Sequence, residues 1–130
     1  MLINFLAVGS GGFIGALLRH LFVSFVNKNT KTYIHLGTIL VNIIGSFFMG
    51  FIIKFSNVSH KINEKLLLFL TVGIGASFTT FSTFTLNEIS YLENQNYLYF
   101  FLYISITIGL SLFLLFLGLK LGDYTAKKLK

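Results

Sequence analysis

Gly73-Ile74-Gly75-Ala76-Ser77-Phe78-Thr79-Thr80-Phe81-Ser82-Thr83-Phe84-Thr85 lies inside an otherwise apolar segment running from Leu66 to about Leu92. That segment is long enough to cross a bilayer as a helix. Its centre carries two glycines and a dense run of Ser and Thr. Phe81 and Phe84, three apart, fall on one helical face. A spanning helix with a small, hydroxyl-rich centre is a candidate broken helix. In lipid, irregular backbone is tolerated only where protein buries it or a polar pathway runs past it.

The composition agrees with a membrane setting. Hydrophobic residues make up 55% of the chain and charged residues 11%, against about 25% charged for a soluble domain. Ten Lys and Arg stand against four Asp and Glu, with the basic residues in loops and tail, as suits anionic headgroups. No basic face or recognised motif points to nucleic acid, so no nucleic-acid partner is expected. There is no cysteine, hence no disulfide and no thiolate metal site. There is no proline, so a break in the third helix must rest on glycine, small residues and local hydrogen bonds. The N-terminus lacks the positive region of a signal peptide and is read as part of the fold.

Four apolar segments, roughly 2–26, 36–54, 66–92 and 97–121, are separated by short polar connections. Each can span a hydrocarbon core of about 30 Å. Short connections make neighbours antiparallel, and the expectation is a single all-α, four-helix transmembrane domain over 1–130.

Each segment carries its own polar or small stripe. In the first, Gly11 and Gly15 are four apart, as are Gly12 and Ala16, a spacing that lets helices approach closely in lipid. Arg19 then interrupts the apolar run. Two readings stand for it, a snorkelling arginine and one that faces a cavity and attracts an anion. In the second segment Thr38, Asn42, Ser46 and Gly50 recur every four residues. An unsatisfied Asn42 amide at that depth would cost several kcal/mol, so it needs a partner helix or a wet pathway. In the fourth, Tyr103, Thr107 and Ser111 repeat the spacing, with Gly109 and Gly118 as the small residues. Two polar stripes and a hydroxyl-rich centre together argue for a polar path through the membrane. Seven lysines (54, 61, 65, 120, 127, 128 and 130) lie on or near the side that holds both termini, against Lys28 and Lys31 opposite. Positive-inside counting places both termini in the cytoplasm.

Three blocks carry a family resemblance: Gly11-Gly-Phe-Ile-Gly-Ala-Leu-Leu-Arg19-His20, Gly37-Thr-Ile-Leu-Val-Asn42-Ile-Ile-Gly45-Ser46-Phe47 and Gly75-Ala-Ser-Phe-Thr79-Thr80-Phe81-Ser82-Thr83-Phe84. In order, length and layout they resemble the Fluc (CrcB) family of fluoride channels. The resemblance implies a multi-pass protein of a bacterial cell membrane, assembled as an antiparallel dual-topology dimer with two fluoride pores. It implies a structural sodium ion on the dimer axis, held by the backbone carbonyls of Ala76 and Thr79. It makes Asn42 the pore amide and puts Phe81 and Phe84 in the pore wall by their ring edges. Tyr103, Thr107 and Ser111 match the family's polar track, Ser82 and Thr83 join the pore set, and Arg19 matches a vestibule arginine. Two departures stand out. Ala76 replaces a common glycine, and Asn87, followed by Glu88, replaces a common glutamate. The charge bias adds a choice of partner, a second copy of this chain or an oppositely oriented paralogue.

A fluoride path through such residues makes physical sense. Fluoride holds water tightly, and any charge at the bilayer centre costs at least about 2.5 kcal/mol unless polar groups replace that water. Hydroxyl and amide protons can donate to an anion, and a phenylalanine ring edge is the positive end of a quadrupole. Rival classes fare worse. A small multidrug-type, proton-coupled exporter wants a buried carboxylate in the first helix, which has Arg19 instead. A non-transporting assembly subunit would use the polar stripes only as glue. An enzyme has the least support, since no histidine or carboxylate lies close in sequence to activate the Ser and Thr run.

Overall fold

The computed structural model describes residues 1–30 and 32–129. All the regular structure among them is helical: α1 (Leu2–Asn29), α2 (Leu36–Ser59), α3 (Glu64–Leu68), a π-helical segment (Phe69–Gly75), α4 (Ala76–Phe78), α5 (Ser82–Glu93) and α6 (Tyr97–Lys128). Four stretches are long and apolar enough to cross a membrane: Leu2–Asn29, Leu36–Ser59, Glu64–Glu93 and Tyr97–Lys128. The third contains everything from α3 to α5.

The helices outrun their apolar segments at polar ends. Extending a formed helix adds a backbone hydrogen bond for each residue fixed, so no hydrophobic signal is needed. α1 continues to Asn29, whose Nδ2 donates to the Phe25 carbonyl at 2.8 Å. α6 takes in residues that read as a tail, and there Lys127 pairs with Asp123 at 2.6 Å while Lys54 of α2 reaches the same carboxylate at 3.5 Å. α3 starts at a true cap, Asn63, whose side chain accepts the Leu66 N–H at 2.9 Å. Past the end of α5, Gln95 takes up left-handed backbone (φ 55°). The N–H groups of Gln95 and Asn96 return to the carbonyls of Leu92 (3.0 Å) and Tyr91 (2.8 Å), a Schellman closure that turns the chain into α6.

Burial is inverted relative to a soluble bundle. Phe13, Leu18, Leu21, Leu112 and Phe116 are exposed, while Thr38, Thr71 and Thr107 are buried. The apolar surface is the lipid-facing one, and the helices meet through small and polar residues. α2 packs most closely on α6, and α1 on the π-helical segment. At the first interface a Cβ on Gly118 would run into the Phe47 carbonyl oxygen, and one on Gly50 into that of Leu115. At the second, Gly11 sits against Phe69 and Gly73, and Gly15 against the Ile74 carbonyl. A π-helical turn is wider than an α turn, and α1 accommodates it with these two glycines. Gly109 has no such neighbour within 4 Å.

Candidate ion pathway

Beyond α4 the backbone leaves helical geometry at Thr79 (φ −78°, ψ 161°). Asn42 of α2 meets it there. Its Nδ2 donates to the Thr80 carbonyl at 3.0 Å, and its Oδ1 accepts the Thr80 N–H at 2.8 Å. In a continuous helix the Thr80 N–H would bond to the carbonyl of Ala76. Likewise Thr83 N–H goes to the Thr80 hydroxyl (3.2 Å), which starts α5, rather than to the carbonyl of Thr79. The carbonyls of Ala76 and Thr79 have therefore both lost their helical donors. That of Thr79 accepts from Arg19 Nη1 at 3.2 Å. The Thr79 hydroxyl donates to the Gly75 carbonyl (3.2 Å) and lies 3.4 Å from that of Ala76. Gly45, nearly one turn from Asn42 on α2, leaves room for the Thr79 methyl, which a Cβ there would strike.

Beside this corner is a cavity of about 410 Å³ whose wall includes Asn42, Ser46, Thr80, Phe81, Phe84, Thr107 and Ser111. Thr107 Oγ1 and Ser111 Oγ are both shielded from solvent and have no hydrogen-bond partner among the described residues. Helical Ser and Thr can place such a proton on the carbonyl four residues back; these two do not. They sit one turn apart on α6, so roughly 6 Å separates them along the axis. Leaving one buried hydroxyl unpaired costs about 1–3 kcal/mol, so the wall is poised for a ligand that accepts hydrogen bonds. Asn42 contributes as well: Nδ2 has two protons, and the Thr80 carbonyl uses only one.

The two phenylalanines differ in setting. Phe84 is 5% exposed and stacks on Tyr103, with centroids 5.3 Å apart. Phe81 precedes α5 instead of lying on its face, and is 75% exposed, its ring 5.7 Å from that of Phe84.

Of the other residues singled out in the sequence, Thr79 also lines the cavity, while Ser82, Thr83, Arg19, Ala76 and Tyr103 fall outside its wall. Ser82 and Thr83 turn their hydroxyls to that of Thr80, at 3.4 and 3.1 Å. Arg19 is half-buried and engaged with Thr79, and Ala76 is exposed. Tyr103 is fully buried behind Phe84, where its hydroxyl accepts from Asn87 Nδ2 at 3.0 Å. The same amide nitrogen lies 3.3 Å from Thr38 Oγ1. Asn87, Thr80 and Tyr91 were not among the site residues read from the sequence. Thr80 had a usable signal, a Thr two positions before α5 and three before the N–H it accepts. Asn87 had a weaker one, lying three residues from Phe84 on the same helical face. Tyr91, 2% exposed, closes the far end: its ring is 5.5 Å from that of Tyr103, and its hydroxyl donates to the Tyr33 carbonyl and accepts the His35 N–H, each at 3.1 Å. Burial in this cluster holds the His35 imidazole below its ordinary pKa.

Comparison with known proteins meets this geometry from another direction. A family profile described as "CrcB-like protein, Camphor Resistance (CrcB)" matches residues 6–119. A Clostridium perfringens protein named "Fluoride-specific ion channel FluC" is 47% identical over 91 residues, covering 70% of this chain and 71% of that protein. A protein of the same name from Campylobacter jejuni is 41% identical over 98 residues, with 75% and 80% covered. Another, from Campylobacter hominis, is 42% identical over 128 residues, 98% of each chain. With four membrane-spanning helices and this likeness along almost its whole length, the chain belongs to the CrcB family and is a multi-pass protein of the bacterial cell membrane.

Proposed function

We propose that this chain is the subunit of a fluoride-selective channel that lets fluoride leave the cell by passive conduction. Its relatives' name supports the ion. The observation that carries the reading is the pair of shielded, unpartnered hydroxyls of Thr107 and Ser111 in the wall shared with Asn42, Phe81 and Phe84. Donors spaced one turn apart let an anion exchange water for protein one contact at a time. The ring edges of Phe81 and Phe84 add weak positive potential without a full charge. Conduction needs sites strong enough to admit an ion and weak enough to release it. Neutral donors and ring edges meet that need, whereas lysines or arginines along the wall would hold fluoride too tightly.

Phe81, exposed on the subunit surface, needs a second wall. An antiparallel dimer supplies one and yields two pores. The lysine asymmetry between the two sides supports a chain that inserts in one orientation. Its partner is then an oppositely oriented paralogue, or a second copy if the bias is too weak to decide insertion. Lipid headgroups take up the exposed lysines.

The carbonyls of Ala76 and Thr79 fit a structural sodium ion at the dimer centre. Neither has a helical donor, and the carbonyl of Thr79 keeps a lone pair beyond the one facing Arg19. Bound there, sodium would supply a fixed positive charge and neutralise carbonyl dipoles where two subunits meet. Arg19 orients the Thr79 carbonyl from the vestibule side.

The test is fluoride efflux from liposomes holding the purified chain alone, with chloride as control and Phe81→Ile beside it. Fluoride-selective efflux, lost in Phe81→Ile while the dimer persists, is expected. Equal fluoride and chloride efflux, or none from a mixture with its paralogue, would overturn the reading.

A further inference from the structure

The closely packed seam between α2 and α6 has two flanks. The ion cavity lies along one, where α6 presents Thr107, Ser111 and Leu115. Along the other runs a groove of about 430 Å³, lined by Phe47 of α2 and by Leu117, Lys120, Leu121 and Tyr124 of α6. At about 100° per residue the two sets fall on different sides of α6. The four α6 residues are spaced i, i+3, i+4 and i+7 and so form one stripe. The stripe is open: Leu117, Leu121 and Tyr124 are 39%, 45% and 63% exposed. Two polar groups stand in the otherwise apolar wall, the Lys120 ammonium and, one turn nearer the C-terminus, the Tyr124 hydroxyl.

The lysines at this end of the molecule are not equivalent. Lys54 and Lys127 share Asp123, at 3.5 and 2.6 Å, and Lys61 donates to the Leu129 carbonyl at 2.7 Å. Lys120 meets no carboxylate among the described residues. Its ammonium lies 5.3 Å from the centre of the Phe116 ring. Helical side chains lean toward the N-terminus of their helix, which for α6 is away from the tail and into the membrane. The fold therefore holds a cation where the apolar segment ends, beside an apolar groove, with only a ring face against it.

We infer that this groove binds one anionic phospholipid, an acyl chain lying along Phe47, Leu117 and Leu121 and the phosphate against Lys120 and Tyr124. The ammonium offers three donors and the phenol one, and charge-assisted bonds to phosphate oxygens are strong ones. A zwitterionic lipid carries its own cation beside the phosphate, which competes with Lys120. An anionic lipid does not, so the site selects by charge. Positive-inside counting puts this end in the cytoplasm, the side where anionic lipids set a negative surface potential. The site stands on the flank away from the ion cavity and does not depend on which ion passes there.

The test is native mass spectrometry of the full chain, released from detergent after titration with phosphatidylglycerol or phosphatidylcholine. Wild type is compared with Lys120→Gln, Leu117→Trp and Lys128→Gln, the last an exposed lysine about two turns beyond the groove. The wild type is expected to retain one phosphatidylglycerol per subunit, at least about tenfold tighter than phosphatidylcholine. Lys120→Gln should abolish that preference, and Leu117→Trp, which fills the groove, should weaken both lipids. Lys128→Gln should stay within about twofold of wild type. Equal binding of the two lipids by the wild type overturns the assignment. Equal losses in Lys120→Gln and Lys128→Gln do so too, because they show diffuse attraction to the charge of the tail. Full lipid binding by Leu117→Trp, or its collapse to monomers, would place the lipid elsewhere or make the groove a contact between subunits, and either result overturns it.

Discussion

The side-chain amide of Asn42 pairs with both main-chain groups of Thr80, at 3.0 and 2.8 Å. One residue of α2 thereby does for the third spanning stretch what the next helical turn would otherwise do. Asn42→Leu leaves a carbonyl and an N–H unpaired next to a membrane cavity, each worth about 1–3 kcal/mol. The expected outcome is a clear fall in the thermal unfolding midpoint in detergent along with lost flux. An unchanged midpoint would mean that Thr80 finds other partners and that the pairing is incidental.

The α2–α6 interface makes a sharper comparison between two glycines of one helix. Gly118 has no room for a Cβ because the Phe47 carbonyl is in the way, while Gly109 has nothing within 4 Å. Gly118→Val should force backbone apart and cost several kcal/mol, at least the roughly 1–3 kcal/mol of ordinary overpacking. Gly109→Ala should be neutral or stabilising by up to about 1 kcal/mol, since alanine is the better helix former. Yield and unfolding midpoint of the two variants in the same detergent test the contrast, and equal behaviour would contradict the packing described.

His35 gives a pH dependence whose sign is fixed. Burial against Tyr91 lowers its folded-state pKa below the unfolded value of about 6.5. The unfolded chain therefore binds more protons as the pH falls through this region, and stability is lost on acidification. Stability from this group is fully present above the unfolded pKa. His35→Gln should flatten that part of the profile relative to wild type. A profile identical to wild type would show that His35 takes no part.

The four spanning segments were legible because length and apolar content decide them, and no tertiary contact can override a missing hydrophobic run. The family was legible in the glycine, asparagine and Thr-Thr-Phe-Ser-Thr-Phe blocks. Helix ends were less so: Asn29, Ser59 and Lys128 lie in polar turns that carry no hydrophobic period. The cavity wall was only partly readable. Thr107 and Ser111 follow from a spacing of four, but that their hydroxyls are unpartnered follows only from where the neighbouring carbonyls lie. Asn87 carried only a weak signal, because its two partners sit 49 and 16 residues away in the chain. Arg19 reads either as a snorkelling arginine or as a charge for an anion, and only the fold reveals the Thr79 carbonyl it holds.

On the proposed channel function, fluoride passes along the stranded hydroxyls of α6, Thr107 and Ser111. The most direct test is the initial rate of fluoride efflux from liposomes for wild type and for the Thr107→Val, Ser111→Ala pair, in preparations with matched dimer content. Thr107→Val keeps shape and removes the proton, and a hydrogen bond to a charged group is worth about 1.5–3 kcal/mol. At about 1.4 kcal/mol per factor of ten, the pair is expected to slow fluoride at least about a hundredfold with the fold intact. Efflux within a factor of about two of wild type would place the ion elsewhere and contradict it.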